Sequence, residues 1–247
     1  TLVGGLGTDT ADFSDATAGV TITLNGDTLG SAVFVDTTNN DALYSIENLL
    51  GTQYADSITV TDTNNNWIDG GAGADTILAG AGDDTLIYDA ADATVDGEAG
   101  TDTLVVRDAS LDLTAAGISG TQIKNIEVID LRGSQGTQLT LSVASVVALS
   151  TSSDALTVYA DDQDTLELVG TWALAANTVV GGEVYRNWTG TSSSPSANVT
   201  LRVSAQASVR LVGTAAGDSV AGTASSERWR RCRRCGTRVA DMGLPIC

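Results

Sequence analysis

Histidine is absent from all 247 residues, and its absence removes two kinds of catalytic machinery. A Ser-His-Asp set needs an imidazole to move its proton, and the zinc-protease helix needs two of them as metal ligands. Cysteine is absent from residues 1–231, so no disulfide staples the body; Cys232, Cys235 and Cys247 all fall in the tail. Aromatic residues are only 4% of the chain while glycine fills 27 positions. That balance argues against a thick core and favours a thin one stacked from small aliphatics. No apolar run reaches the roughly 18 residues of a membrane helix. Basic residues are also scarce, 12 against 31 acidic, and six of the 12 lie between Arg228 and Arg238. Residues 1–226 thus hold 29 acidic and six basic groups, a net charge of −23. Such a surface repels nucleic acid and anionic membranes and attracts divalent cations. The chain opens at Thr1 rather than Met, which reads as a fragment or a processed product.

What the chain does contain is a nine-residue period. Residues 70–78 read Gly-Gly-Ala-Gly-Ala-Asp-Thr-Ile-Leu, and residues 79–87 read Ala-Gly-Ala-Gly-Asp-Asp-Thr-Leu-Ile. Glycines lead each unit, Asp stands sixth and an aliphatic stands eighth. The glycines permit tight turns, and the Asp adds a carboxylate oxygen to the carbonyls those turns expose. The eighth-place side chain enters a core from a short strand. Residues 51–59 keep the pattern with Asp56 and Ile58, and residues 60–69 carry one inserted residue, with Asn66 where Asp is expected. Residues 88–96 degenerate, yet the unit at 97–105 returns in register, 27 residues after Gly70. Register held across a poor repeat predicts one continuous stack.

This pattern resembles the repeats-in-toxin (RTX) family, whose nonapeptides bind calcium in a β-helix. The resemblance implies an all-β fold: a right-handed parallel β-roll, a form of β-solenoid, over 51–105, followed by further β-solenoid or β-sandwich-like strands. Two repeats make one turn of such a roll, so loops 18 residues apart share a calcium ion. Carried over by register, Asp84 pairs with Asp102, Asn66 stands opposite Asp84, and Asp56 pairs with Asp75. Backbone carbonyls of Gly70, Ala72 and Gly73, of Ala79, Ala81 and Gly82, and of Gly97, Ala99 and Gly100 complete the ligand set. The loop ending at Asp75 faces 88–93, where Ala93 holds the acidic position and Asp89 or Asp92 is the substitute. Calcium is the one cofactor implied.

Outside 51–105 the signals are coarser. Residues 1–50 read as the end of an upstream repeat, in Gly4–Asp9, followed by linking strands that alternate at Val20, Ile22 and Leu24. Residues 106–212 read as β-rich, with Ser142 capping a short helix through Leu149. Ile126–Gly133 echoes Ile46–Gly51. Residues 213–226 open like a second array, and 227–247 form an aberrant Arg/Cys tail, predicted disordered or out of frame. One Cys-x-x-Cys pair with no histidine does not make a four-ligand zinc site. The family resemblance implies a calcium-folded, noncatalytic module of a large secreted or cell-surface bacterial protein, exported by a type I system. Its partners would be calcium and neighbouring domains of the same chain. Two alternatives stay open: the repeat region of a secreted protease, lipase or epimerase, and a module for a host or matrix glycan. Trp172 and Trp188 exposed on one strand face would support the glycan reading; packing roles for them and Trp67 would not.

Overall fold

The computed structural model describes residues 1–26, 30–34, 40–133, 136–150, 153–193, 196–212, 228–231 and 238–241. The expected start of a second array at 213–226 and the three tail cysteines lie outside them. The chain divides into two units, Thr1–Asp108 with Gly120–Ile129, and Ala109–Ser119 with Asp130–Cys247.

In the first unit the nine-residue period sends successive short strands alternately into two parallel sheets. Ser57–Val60, Thr76–Leu78 and Thr94–Asp96 lie side by side in one sheet. Asn48–Leu50, Trp67–Asp69, Thr85–Tyr88 and Thr103–Val106 lie side by side in the other. Thr85 pairs with Trp67 and with Thr103, so two nonapeptides advance the chain by one strand position. Because the step is even in repeats, every eighth-place side chain falls in a column. Ile22, Ile58, Ile77, Val95 and Ile123 form one column, and Leu49, Ile68, Leu86 and Leu104 the other, all with 0% exposure. This is the parallel β-roll that the repeat pattern predicts.

The same stack continues before residue 51. Thr10–Asp12 pairs in parallel with Asn48–Leu50, and Val20–Leu24 with Ser57–Val60. Val20, Ile22 and Leu24 are the buried members of their strand, as their alternation predicts. Gly30–Phe34 and Asn40–Tyr44 extend the first sheet as an antiparallel pair. Leu86→Ala would open a void in the middle of a close-packed column. The expected cost is roughly 2–5 kcal/mol, measured by chemical denaturation in saturating calcium.

The second unit keeps parallel pairing at a longer pitch. Ser110–Asp112, Gln138–Ser142, Thr165–Val169 and Ser208–Val212 form one parallel sheet. Ala155–Tyr159 pairs in parallel with Ser196–Ser204, which turns back antiparallel on Glu183–Ser193. Helix Val143–Leu149 begins where Ser142 accepts the Ser145 N–H and the Ser145 hydroxyl accepts the Ser142 N–H, the cap the sequence predicts. Trp172 and Trp188 are 1% and 2% exposed, so both are packing residues and neither faces solvent. The backbone of Arg228–Arg231 and Arg238–Asp241 pairs antiparallel.

Candidate metal centre

Each strand of the roll is entered through a loop, and the residue closing that loop sets the geometry of the edge. Along one edge the Asn66 N–H donates to Asp84 Oδ1 at 2.7 Å, and the Asp84 N–H donates to Asp102 Oδ1 at 2.9 Å. Along the other edge the Asp56 N–H donates to Asp75 Oδ1 at 2.8 Å, across the inserted residue. Each carboxylate therefore spends one oxygen on the backbone of the preceding rung. Repeating that bond forms a ladder of acids at a fixed step.

The other oxygen decides what the ladder is for. Asp75, Asp84 and Asp102 are 0–1% exposed, and Oδ2 of each is buried without a hydrogen-bond donor. Asn66, 2% exposed, has an unsatisfied Oδ1 while its amide nitrogen donates to the Glu47 carbonyl. A buried acceptor without a donor is costly, and a buried ionised one more so. Burial pushes the Asp75 and Asp84 carboxyls up to about 6 and the Asp102 carboxyl up to about 7. Neighbouring carboxylates add to that rise, Asp56 against Asp75 and Asp84 against Asp102. A bound cation would compensate such oxygens.

The glycines make room for it. A Cβ on Gly70 would sit 2.5 Å from Asp75 Oδ2, and one on Gly97 would sit 2.6 Å from Asp102 Oδ2. Gly71, Gly73, Gly80 and Gly82 adopt φ of +89°, +141°, +87° and +139°, which turns the two loops identically. The Ala81 and Ala99 backbones bridge directly, and the Ala99 carbonyl accepts the Gly82 N–H at 3.0 Å. The Gly100 position closes against the Gly82 carbonyl. Among the described residues no group of three or more acidic side chains converges. What successive loops bring together instead is carboxylates two at a time among backbone carbonyls, a hard-oxygen set of the kind calcium accepts in flexible geometry.

Residues 60–95 match the family model of the RTX calcium-binding nonapeptide repeat, in four copies. They are RTX repeats. No curated protein matches the chain. RTX repeats bind Ca²⁺, and the donor-free carboxylate oxygens fit that ion.

Within the RTX repeats and their flanks, the structure separates residues that the sequence treats alike. Asp56 accepts the Thr52 N–H on Oδ2 at 2.6 Å, and the Val20 N–H and Thr52 hydroxyl on Oδ1 at 2.8 and 3.0 Å. Both of its oxygens are thus served by protein donors. Beside the loop of Asp75, the Asp92 side chain turns inward at 4% exposure, while Asp89 caps the local turn by accepting the Ala91 N–H. Burial pushes the Asp92 carboxyl up to about 7, with Asp75 and Asp89 adding to the rise. Asp164 in the second unit is fully buried but accepts the Thr137 N–H on one oxygen and the Asp161 N–H on the other. It closes a turn without needing an ion. Asp9, Glu47 and Glu127 also join the ladder, a role that spacing alone did not reveal: Glu47 accepts the Asp9 N–H and Glu127 the Asp102 N–H. The echo between Ile46-Glu47 and Ile126-Glu127 was the available signal.

Proposed function

We propose that the chain is a calcium-folded structural module of a large secreted or cell-surface bacterial protein of adhesin, surface-layer or toxin type, with type I export as its route. The observation that carries this reading is the row of buried carboxylate oxygens without donors, at Asp75, Asp84 and Asp102. Pairs Asp84–Asp102, Asn66–Asp84 and Asp75–Asp92 would hold the ions, with loop carbonyls of Gly70, Ala72, Gly73, Ala79, Ala81, Gly82, Gly97, Ala99 and Gly100 filling the remaining positions. Asp56, its oxygens already bonded, would orient the loop of Asp75 rather than carry an ion alone. Burial of one aliphatic per rung offsets only part of the entropy of ordering nine residues. Calcium bound by the folded state alone supplies the difference. A module of this kind stays unfolded at the low calcium of the cytosol and folds outside. Its role is then mechanical and positional, and catalysis is no part of it.

The test is far-UV circular dichroism of the full chain, titrated with calcium from an EDTA-treated start and with magnesium as control. The expected result is a cooperative gain of β signal at sub-millimolar to millimolar calcium, with none from magnesium. A β spectrum already complete in EDTA would sink the reading. Magnesium should fail because it demands near-octahedral geometry and gives up its water reluctantly.

A further inference from the structure

Two short segments outside the nonapeptide pattern dock onto the roll in the same way, and both bring a glutamate. The first is Ser45-Ile46-Glu47 and the second is Asn125-Ile126-Glu127. Ser45 and Asn125 share a left-handed backbone, with φ of +49° and +51°. Ile46 and Ile126 are buried, at 4% and 0% exposure, which anchors each segment in the core. The residue before each turn accepts from a repeat-opening glycine: Gly4 N–H to the Tyr44 carbonyl at 3.0 Å, and Gly97 N–H to the Lys124 carbonyl at 3.1 Å. The Glu47 and Asn48 amides both reach the Asp9 carbonyl, at 3.2 and 2.9 Å. The Glu127 and Val128 amides reach the Asp102 carbonyl at 3.2 and 3.0 Å. Finally, Glu47 Oε2 accepts the Asp9 N–H at 3.0 Å and Glu127 Oε2 accepts the Asp102 N–H at 3.1 Å.

Each segment therefore reproduces what the next RTX rung supplies to the one before it. In the array, a carboxylate oxygen from the following loop takes the N–H of the preceding Asp. Here a glutamate does so, and its extra methylene spans a loop that lacks the glycine-rich turn. The carbonyl is reproduced too. A Cβ on Gly97 would collide with the Asn125 carbonyl oxygen beside Asp102 Oδ2, and one on Gly4 would collide with the Ser45 carbonyl oxygen beside the Asp9 side chain. Asp102 is 0% exposed with Oδ2 buried and donor-free; Asp9 is half-buried, with its Oδ2 atom buried and donor-free. At both places a carbonyl oxygen and an Asp side chain with a donor-free oxygen crowd the same glycine, and a second carboxylate bonds the backbone of that Asp.

We propose that Glu47 and Glu127 are calcium ligands that close two sites outside the nonapeptide array, one with Asp9 and the Ser45 carbonyl, the other with Asp102 and the Asn125 carbonyl. The inference rests on the calcium reading above and extends it to a second kind of rung. Turn residue, isoleucine and glutamate then form a terminator: a rung that completes the last ion site without offering a glycine-rich loop for another.

Native mass spectrometry of the full chain in calcium-buffered volatile electrolyte counts the ions directly. Glu47→Gln and Glu127→Gln each keep an oxygen to accept the Asp amide, so the narrow charge-state envelope of a folded chain should persist. Each should carry one calcium fewer than the unsubstituted chain, and the double variant two fewer. Glu167→Gln, which removes an acid paired with Arg210, should leave the count unchanged. Equal counts in all variants over a calcium-loaded parent would overturn this inference and leave the calcium reading standing. A parent that holds no calcium would overturn both.

Discussion

Asp84→Asn should raise the calcium concentration needed to fold the roll by tenfold or more, and should strengthen the β signal that remains in EDTA. The opposite signs follow from the position of this side chain. Asp84 stands in the middle of the ladder, where its Oδ1 accepts the Asn66 N–H and its own N–H donates to Asp102. Asparagine preserves both bonds. What it removes is a negative charge on an oxygen that no donor reaches. Without calcium that charge opposes folding, since burial has pushed the carboxyl up to about 6. Relieving it gains on the order of 2–3 kcal/mol well above that pH. On the proposed function the same charge would serve two neighbouring calcium sites, so its loss should weaken both. Asp56→Asn is the contrast. Both Asp56 oxygens accept protein N–H groups, so the substitution should destabilise by roughly 1–3 kcal/mol with and without calcium. Circular-dichroism titrations of the two variants decide the matter. Loss of β signal by Asp84→Asn in EDTA as well as in calcium would make Asp84 an ordinary hydrogen-bond anchor.

Acid should partly replace calcium. Asp75 and Asp84 have carboxyls pushed up to about 6, and Asp92 and Asp102 to about 7, in each case chiefly by burial. A group whose folded pKa is raised contributes stability that is fully present below its unfolded value near 3.8. That contribution is lost as pH rises through the folded value. The metal-free roll is thus most stable below about pH 4, and loses that support between roughly pH 4 and 7 as the buried acids ionise. In EDTA the β signal should grow on acidification from pH 8 to pH 4. With calcium present the order reverses, because each ion must displace the protons these carboxyls hold. The calcium midpoint should rise about tenfold or more per pH unit below pH 6, with protons released on binding. Titration calorimetry in two buffers of different ionisation enthalpy measures that release. A midpoint independent of pH between 5 and 8 would contradict the assignment of these four carboxylates. Asp96 should take no part. Burial opposes its charge, but the Asn125 amide and the Lys124 ammonium, 3.0 Å away, hold its carboxyl below the usual range.

The two kinds of rung explain why some of the site was visible in the chain and some was not. A nonapeptide carries its own instructions. Glycines set the turn, Asp closes it, and the eighth residue fills the column, so Ile77, Leu86 and Leu104 could be placed in the core from spacing alone. Asp75, Asp84 and Asp102 could be placed at the loop edges for the same reason. Ser142 was legible as a cap because capping involves only the next three residues. Glu47 and Glu127 belong to no period. They meet Asp9 and Asp102 across 38 and 25 residues, and only folding brings them there.

The sequence by itself determined the repeat, its register and the all-β stack, and through its resemblance to RTX repeats it implied calcium. All of these depend on residues at fixed short separations, which a one-dimensional pattern encodes. The tertiary structure alone decided which of these carboxylates are left without a protein donor. Asp56 and Asp84 occupy the same place in the repeat, yet Thr52 and Val20 donate to both oxygens of one while nothing donates to Oδ2 of the other. It likewise decided that Asp92 rather than Asp89 is buried beside Asp75, and that Trp172 and Trp188 pack inside. Whether a polar atom finds a donor, and whether a ring finds cover, depends on neighbours distant in the chain, and those are fixed only when the rungs have stacked.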